Sequence, residues 1–129
     1  MIYKAIQGLP QAHARIKGSK EYPDIRGNVY LYEVYNGTVL LGELMGIPEE
    51  LEKKYGGFFG FHIHEGNACT GDSQDPFADT KGHYNPEKEE HPRHAGDLPP
   101  VLSNDGTAWM EIYRKILSNG CCRQDDRTS

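Results

Sequence analysis

Between Gly66 and Gly96 the chain has no sustained periodicity, and apart from Phe77 and Tyr84 it holds small, polar, histidine and proline residues. A structureless stretch of about 30 residues is uncommon inside a compact domain and is usually functional or disordered. With so few apolar side chains, such a stretch needs some other device to order it. On both sides of it stand short β-like runs separated by turn signals. Ala12 to Ile16 alternates small or apolar residues with polar ones, the two-residue period of a half-buried strand. Asn28 to Tyr35 is rich in β-branched and aromatic residues, Asn36-Gly37 is a hairpin signal, and Thr38 to Met45 is the return strand. Pro48 to Tyr55 fits one or two helical turns, with Glu49–Lys53 and Glu50–Lys54 as i,i+4 pairs and Gly56-Gly57 as the stop. Phe58 to Glu65 reads as a strand, and Val101–Ser103 with Ala108–Arg114 as a hairpin around Asn104-Asp105-Gly106. The pattern predicts six strands and one long loop in a single domain over residues 1–129, with no internal repeat.

Composition narrows the class. A length of 129 residues fits one domain, and 15 Gly with 8 Pro disfavour long helices. With 14 Lys and Arg against 19 Asp and Glu, the net charge is −5, which lacks the basic surplus of a phosphate-neutralising nucleic-acid binder. No apolar run approaches the roughly 18 residues of a membrane span. Met1 to Pro10 has no apolar core behind a basic end, so no secretory signal is visible. The three cysteines, Cys69, Cys121 and Cys122, are an odd number, and a reducing cytosol would keep most such thiols free. The expectation is a cytoplasmic, acidic domain without membrane or nucleic-acid partners.

Five of the six histidines lie between His62 and His94. In His62-Ile63-His64 the two imidazoles share one face of a strand, their Cα atoms about 6.6 Å apart at a rise of about 3.3 Å per residue. Phe61 and Ile63 then face the core. Farther on come His83, His91, His94 and Asp97, three imidazoles and a carboxylate of the kind that tetrahedral zinc accepts. Imidazole also suits copper. An H-x-H pair alone is most often coincidence, and a His-rich loop alone is often only solvated. Together, with Asp97 three residues after His94, they point to a metal whose binding would order the loop. His13 stands apart and reads as a strand histidine without a ligand role. The longer H-x-H-x-D-H pattern of metallo-β-lactamases, the cupin glutamate and the chain length of barrel hydrolases are all missing.

The order of these motifs resembles the copper/zinc superoxide dismutase family. Gly60-Phe61-His62-Ile63-His64-Glu65 is similar to its copper-binding strand, and Gly82-His83-Tyr84-Asn85-Pro86 to the stretch around the histidine that bridges both metals. His91 and His94-Ala95-Gly96-Asp97-Leu98 resemble the remaining zinc ligands, within a short zinc loop of bacterial type. Cys69 falls where the family has the first cysteine of its intrasubunit disulfide. The likeness runs from about Ala12 to Tyr113.

The resemblance implies an all-β, Greek-key barrel or flattened sandwich, with about six of eight strands present and a long metal-binding loop. It implies dismutation of superoxide to oxygen and hydrogen peroxide at a copper centre, with zinc as a structural partner. By carry-over His62, His64 and His83 bind copper, while His83, His91, His94 and Asp97 bind zinc. The bridge at His83 would open and take up a proton when copper is reduced. Family members are often homodimers.

Residues 116–129 depart from the family pattern and read as an aberrant tail. No histidine follows His94, so a fourth copper histidine is missing, as is the anion-steering region; Cys121 and Cys122 sit in unrelated context, and the disulfide partner of Cys69 stays undetermined. A truncated or frame-shifted end near Lys115 accounts for this. Read one base later, codons from Asn119 onward can encode Met-Asp-Val-Val-Gly-Arg-Thr, which resembles the missing strand. The alternative to an enzyme is a non-catalytic zinc- or copper-binding module, or an inactive truncated product.

Overall fold

The computed structural model describes residues 4, 6–34 and 37–115. The tail over 116–129, with Cys121 and Cys122, lies outside the described residues, and so does Asn36 of the Asn36-Gly37 turn. Six antiparallel strands are present: β1 (Ala12–Lys17), β2 (Arg26–Val34), β3 (Gly37–Met45), β4 (Phe58–His62), β5 (Asp97–Asn104) and β6 (Thr107–Arg114). A helix of two turns, α1 (Glu49–Tyr55), and a 3-10 turn at Ala78–Thr80 accompany them among the described residues.

The strand order is β1-β2-β3-β6-β5-β4, so β3 lies beside a strand reached only after α1, β4, the long loop and β5. This return of a later strand to an inner position is a Greek-key feature. Strands about 4.8 Å apart would leave β1 and β4 roughly 24 Å apart in a flat sheet. Yet Ala12, Ala14 and Ile16 of β1 share one core cluster with Phe61 and Leu98 of β4 and β5. The sheet is therefore curled into a half-barrel. Its concave side holds Val29, Leu31, Leu40 and Leu98 in one cluster and Ile47, Val101 and Ala108 in another. An open groove of about 510 Å3 runs there, lined by Ile16, Leu44, Phe59 and Phe61 together with His62 and His64.

Local chemistry explains the element ends. Pro48 precedes α1 in extended conformation, and Gly56 closes it at φ 66°. Glu49 pairs with Lys53 at 3.1 Å. The expected Glu50–Lys54 pair is not among the ion pairs of the described residues; Lys54 lies over the Tyr55 ring instead. Glu52 ties the helix to the β5–β6 hairpin, accepting hydrogen bonds from the Ser103 hydroxyl at 2.6 Å and the Gly106 amide at 2.5 Å. Asp105 and Gly106 both have positive φ, 52° and 80°, as a two-residue hairpin with the right-handed strand twist requires.

The largest departures from the expected boundaries are at β5 and β4. β5 starts at Asp97 rather than Val101. Pro99 and Pro100, which cannot donate to a ladder, lie where the β4 register shifts between Phe59 and Phe61, so the irregularity absorbs them. β4 ends at His62 instead of Glu65 because its pairing partner changes at that point.

Candidate metal centre

His62 pairs with Asp97 in the last register position of β4 and β5. Beyond it the chain exchanges β5 for the long loop. The Ile63 amide donates to Gly96 O at 2.9 Å, the Tyr84 amide to Ile63 O at 2.7 Å and the Gly96 amide to Tyr84 O at 2.8 Å. These three main-chain bonds close a ring among three distant segments. His64 then forms an antiparallel bridge with His83. Glu65 donates to Gly82 O at 2.9 Å and Gly66 to Thr80 O at 2.8 Å. The His-rich loop is thus stitched to the end of β4 by backbone bonds that depend little on side-chain identity. Phe61 and Ile63 pack into the core, leaving His62 half-buried and His64 exposed at its rim.

Two donor groups result. In the first, Asp97 is the hub. His83 Nδ1 lies 2.6 Å from its Oδ1, while His91 Nδ1 and His94 Nδ1 lie 3.2 and 3.1 Å from its Oδ2. The four residues offer ligand atoms all within 4.8 Å of one another. The His94 amide also donates to Asp97 Oδ2 at 3.0 Å, which fixes the carboxylate. In the second group, His62, His64 and His83 likewise offer nitrogens within 4.8 Å of one another. The His62 and His83 rings stack with centroids 4.0 Å apart, and the His64 ring stands edge-on to His83 at 5.1 Å. His83 belongs to both groups. With its Nδ1 turned to Asp97, its Nε2 is the nitrogen left for His62 and His64.

The electrostatics suit a cation. Burial alone would raise the Asp97 carboxyl, but the hydrogen bonds from His83 and the His94 amide, with the His94 and His91 rings, hold it below the ordinary carboxylate range. Burial, followed by the neighbouring His83 ring, lowers the His62 imidazole and favours the neutral form that metals bind. His94 Nδ1 is buried and makes no hydrogen bond despite its closeness to Asp97. Such a group costs free energy unless something else satisfies it. Three neutral imidazoles and one carboxylate match the tetrahedral donor set of zinc, and an all-imidazole trio suits copper.

All six expected ligands lie in these two groups. His13 lies outside them, stacked on Tyr30 at 5.0 Å and hydrogen-bonded to Asn28 Oδ1 at 2.8 Å. Cys69 is exposed in the loop, and both cysteines that could pair with it lie outside the described residues. Sequence reasoning missed Gly96, Tyr84 and Lys81. They act through main-chain atoms, for which residue type is a faint signal; the His64 Nδ1 donates to Lys81 O at 2.9 Å.

Among known proteins, the family model for copper/zinc superoxide dismutase (SODC) matches residues 25–126. The extracellular superoxide dismutase [Cu-Zn] of Brugia pahangi is 29% identical over 99 residues, covering 71% of this chain and 44% of that protein. The superoxide dismutase [Cu-Zn] of Brucella abortus biovar 1 is 33% identical over 81 residues, 53% of this chain and 47% of the relative. That of Brucella suis biovar 1 gives the same identity and coverage. The chain therefore spans less than half the length of these curated relatives. A match over most of the sequence, a curled antiparallel half-barrel and two histidine groups sharing one ring together place the chain in the copper/zinc superoxide dismutase family.

Proposed function

We propose that the chain dismutes superoxide, with copper held by His62, His64 and His83 and zinc by His83, His91, His94 and Asp97. The observation that carries this reading is His83, whose ring stands between two donor groups with one nitrogen facing each. Copper in the trio would supply one-electron redox chemistry, and zinc a fixed charge without redox change. The chain's own residues do the rest. In the metal-free chain Asp97 holds His83 at Nδ1; with zinc on that nitrogen instead, Nε2 would be the atom that can take up or release a proton next to a bound anion. Burial lowers the His62 imidazole and favours the neutral form that can serve as a donor. With His62 and His83 half-buried and His64 exposed, one side of the trio is left open to a small diatomic substrate.

A second reading is a metal-binding module without turnover. It is favoured by the inequality of the groups: four donors surround the zinc side, but only three histidines serve the copper side among the described residues. The odd cysteine count supports a reducing, cytoplasmic setting, and a homodimer is the proposed assembly. The deciding experiment loads the purified chain with both metals, measures metal content by elemental analysis, and follows superoxide decay. One copper and one zinc per chain with a rate above free copper supports the enzyme. Stoichiometric zinc with no rate above free copper leaves only the binding module. Sedimentation on the same sample reads the assembly.

A further inference from the structure

Lys17 stands directly opposite Arg26 across β1 and β2, and Arg15, opposite Asn28, is the diagonal neighbour of Arg26. All three are exposed. The alternation that turns Ala12, Ala14 and Ile16 into the core puts Arg15 and Lys17 on the convex side of the sheet. Directly opposed side chains have Cβ atoms about 5 Å apart and diagonal ones about 7 Å, so three positive charges share one small patch. Like charges placed opposite each other destabilise a sheet. No carboxylate relieves them: Arg15, Lys17 and Arg26 form no ion pair among the described residues. Glu21 and Asp24 of the same connection leave them unpaired, and Glu43 of β3 accepts from Asn28 Nδ2 at 3.1 Å instead. A chain of net charge −5 has carboxylates to spare for such a patch, yet places none on it.

The patch is also shaped. Its three cations line an open groove of about 580 Å3 together with Gly18, Pro23 and Met45. Arg26 is held at one end of it, where Nη1 donates to Asp24 O at 3.0 Å. Gly46 makes the room, since a Cβ there would come 2.9 Å from that nitrogen. The bond uses one of the five guanidinium donors and fixes the direction of the others. A guanidinium fork matches two oxygens of a phosphoryl group, while an ammonium acts as a point charge. Two forks about 7 Å apart with one ammonium beside them suit two linked phosphoryl groups better than one. A long polyanion or an anionic bilayer would also meet the acidic remainder of the surface, whereas a small ligand in the groove meets only the cluster. We propose that Arg15, Lys17 and Arg26 form a binding site for a small diphosphate, with one phosphoryl group on each arginine and Lys17 neutralising the pair. None of the six metal ligands takes part, so binding here is independent of the copper and zinc reading.

The test uses the full chain with inorganic pyrophosphate as the probe, followed by titration calorimetry and proton–nitrogen NMR. Saturable binding that shifts the amides of Arg15, Lys17 and Arg26, and that weakens with added salt, is the expected result. Orthophosphate should bind about tenfold more weakly, having one phosphoryl group for two forks; equal affinities overturn the diphosphate assignment. Arg15→Gln and Lys17→Gln should each weaken pyrophosphate binding roughly tenfold, the loss of one charge-assisted contact. Lys53→Gln, which removes a cation already paired with Glu49, should not. Pyrophosphate also chelates metals, so shifts confined to the histidine loop would mark chelation and overturn the site. Binding to vesicles rich in anionic lipid, with no response to pyrophosphate, would mark a membrane face and overturn it as well. Without the anion, Lys17→Gln should melt no lower than the native chain, because it relieves the repulsion with Arg26. A lower melting temperature would show that Lys17 serves the fold itself and would remove the unrelieved repulsion on which the site rests.

Discussion

Gly96 offers the sharpest test of how the centre is assembled. It is buried between Ile63 and Tyr84, and a Cβ added there would lie 2.3 Å from Ile63 O and about 3 Å from Tyr84, at 3.0 Å from its nitrogen and 3.1 Å from its Cβ. Relief of the first contact needs the segments to part by about 1 Å. That separation carries hydrogen bonds of 2.7 to 2.9 Å toward or beyond the useful limit. Three such bonds, each contributing about 1 kcal/mol net, give an expected loss of roughly 2–3 kcal/mol for Gly96→Ala. In a domain of this size that lowers the melting temperature by roughly 8–12 °C.

The control lies in the same loop. A Cβ on Gly82, next to His83, would meet only the flexible end of Glu65 at 3.8 Å. Gly82→Ala should therefore change stability little, although it is closer to the bridging ring in sequence. Thermal unfolding of the metal-free proteins reads the difference directly, and chelator competition reads its effect on the metals. Gly96→Ala should weaken copper more than zinc, because the stitches it disturbs join His62 and His64 to His83. Equal melting temperatures for the two variants, or a larger loss for Gly82→Ala, would refute the argument that backbone docking at Gly96 builds the site.

Two further outcomes follow from the same geometry. Asp97→Asn keeps the shape but removes the carboxylate charge, and elemental analysis should find zinc occupancy sharply reduced, with copper less affected. Acid should weaken the metal-free fold, since both shifted groups have folded pKa values below their unfolded ones: the contribution from His62 is complete above about 6.5 and lost as pH falls through its lowered folded value, and that from Asp97 is complete above about 3.8 and lost lower still. Urea midpoints should thus fall on acidification from pH 7, and a midpoint that rose instead would contradict both directions.

The strands were legible where one face is apolar. Val29 and Leu31 of β2 alternate with the less buried Asn28 and Tyr30 and are buried at that period, whereas Thr38, Val39 and Leu40 of β3 are buried in succession. The imidazoles were legible because their density in one loop has no packing explanation. The start of β5 was not, since Pro99-Pro100 hides a strand whose ladder is irregular at that point. Nor was the end of β4, where Ile63 looks like a continuing strand residue but bonds to Gly96 and Tyr84. Lys81 was illegible for a deeper reason: a carbonyl that fixes a ring belongs to every residue type, and its positive φ shows only in the folded chain.

The two metal groups differ in how they depend on the fold. Every donor of the zinc group lies between His83 and Asp97, so a modest loop closure suffices to gather them. The copper group joins His62 and His64 at the end of β4 to His83 across the stitched loop, and needs both the half-barrel and the docking bonds. A metal that binds the folded arrangement stabilises it by mass action. On the proposed assignment, zinc held by His83, His91, His94 and Asp97 would order the loop itself and steady the His83 ring toward the trio. Copper binding would then draw on that order and add to it. The dependence runs through one ring, so removing zinc should lower copper affinity even in a chain whose copper ligands are all intact.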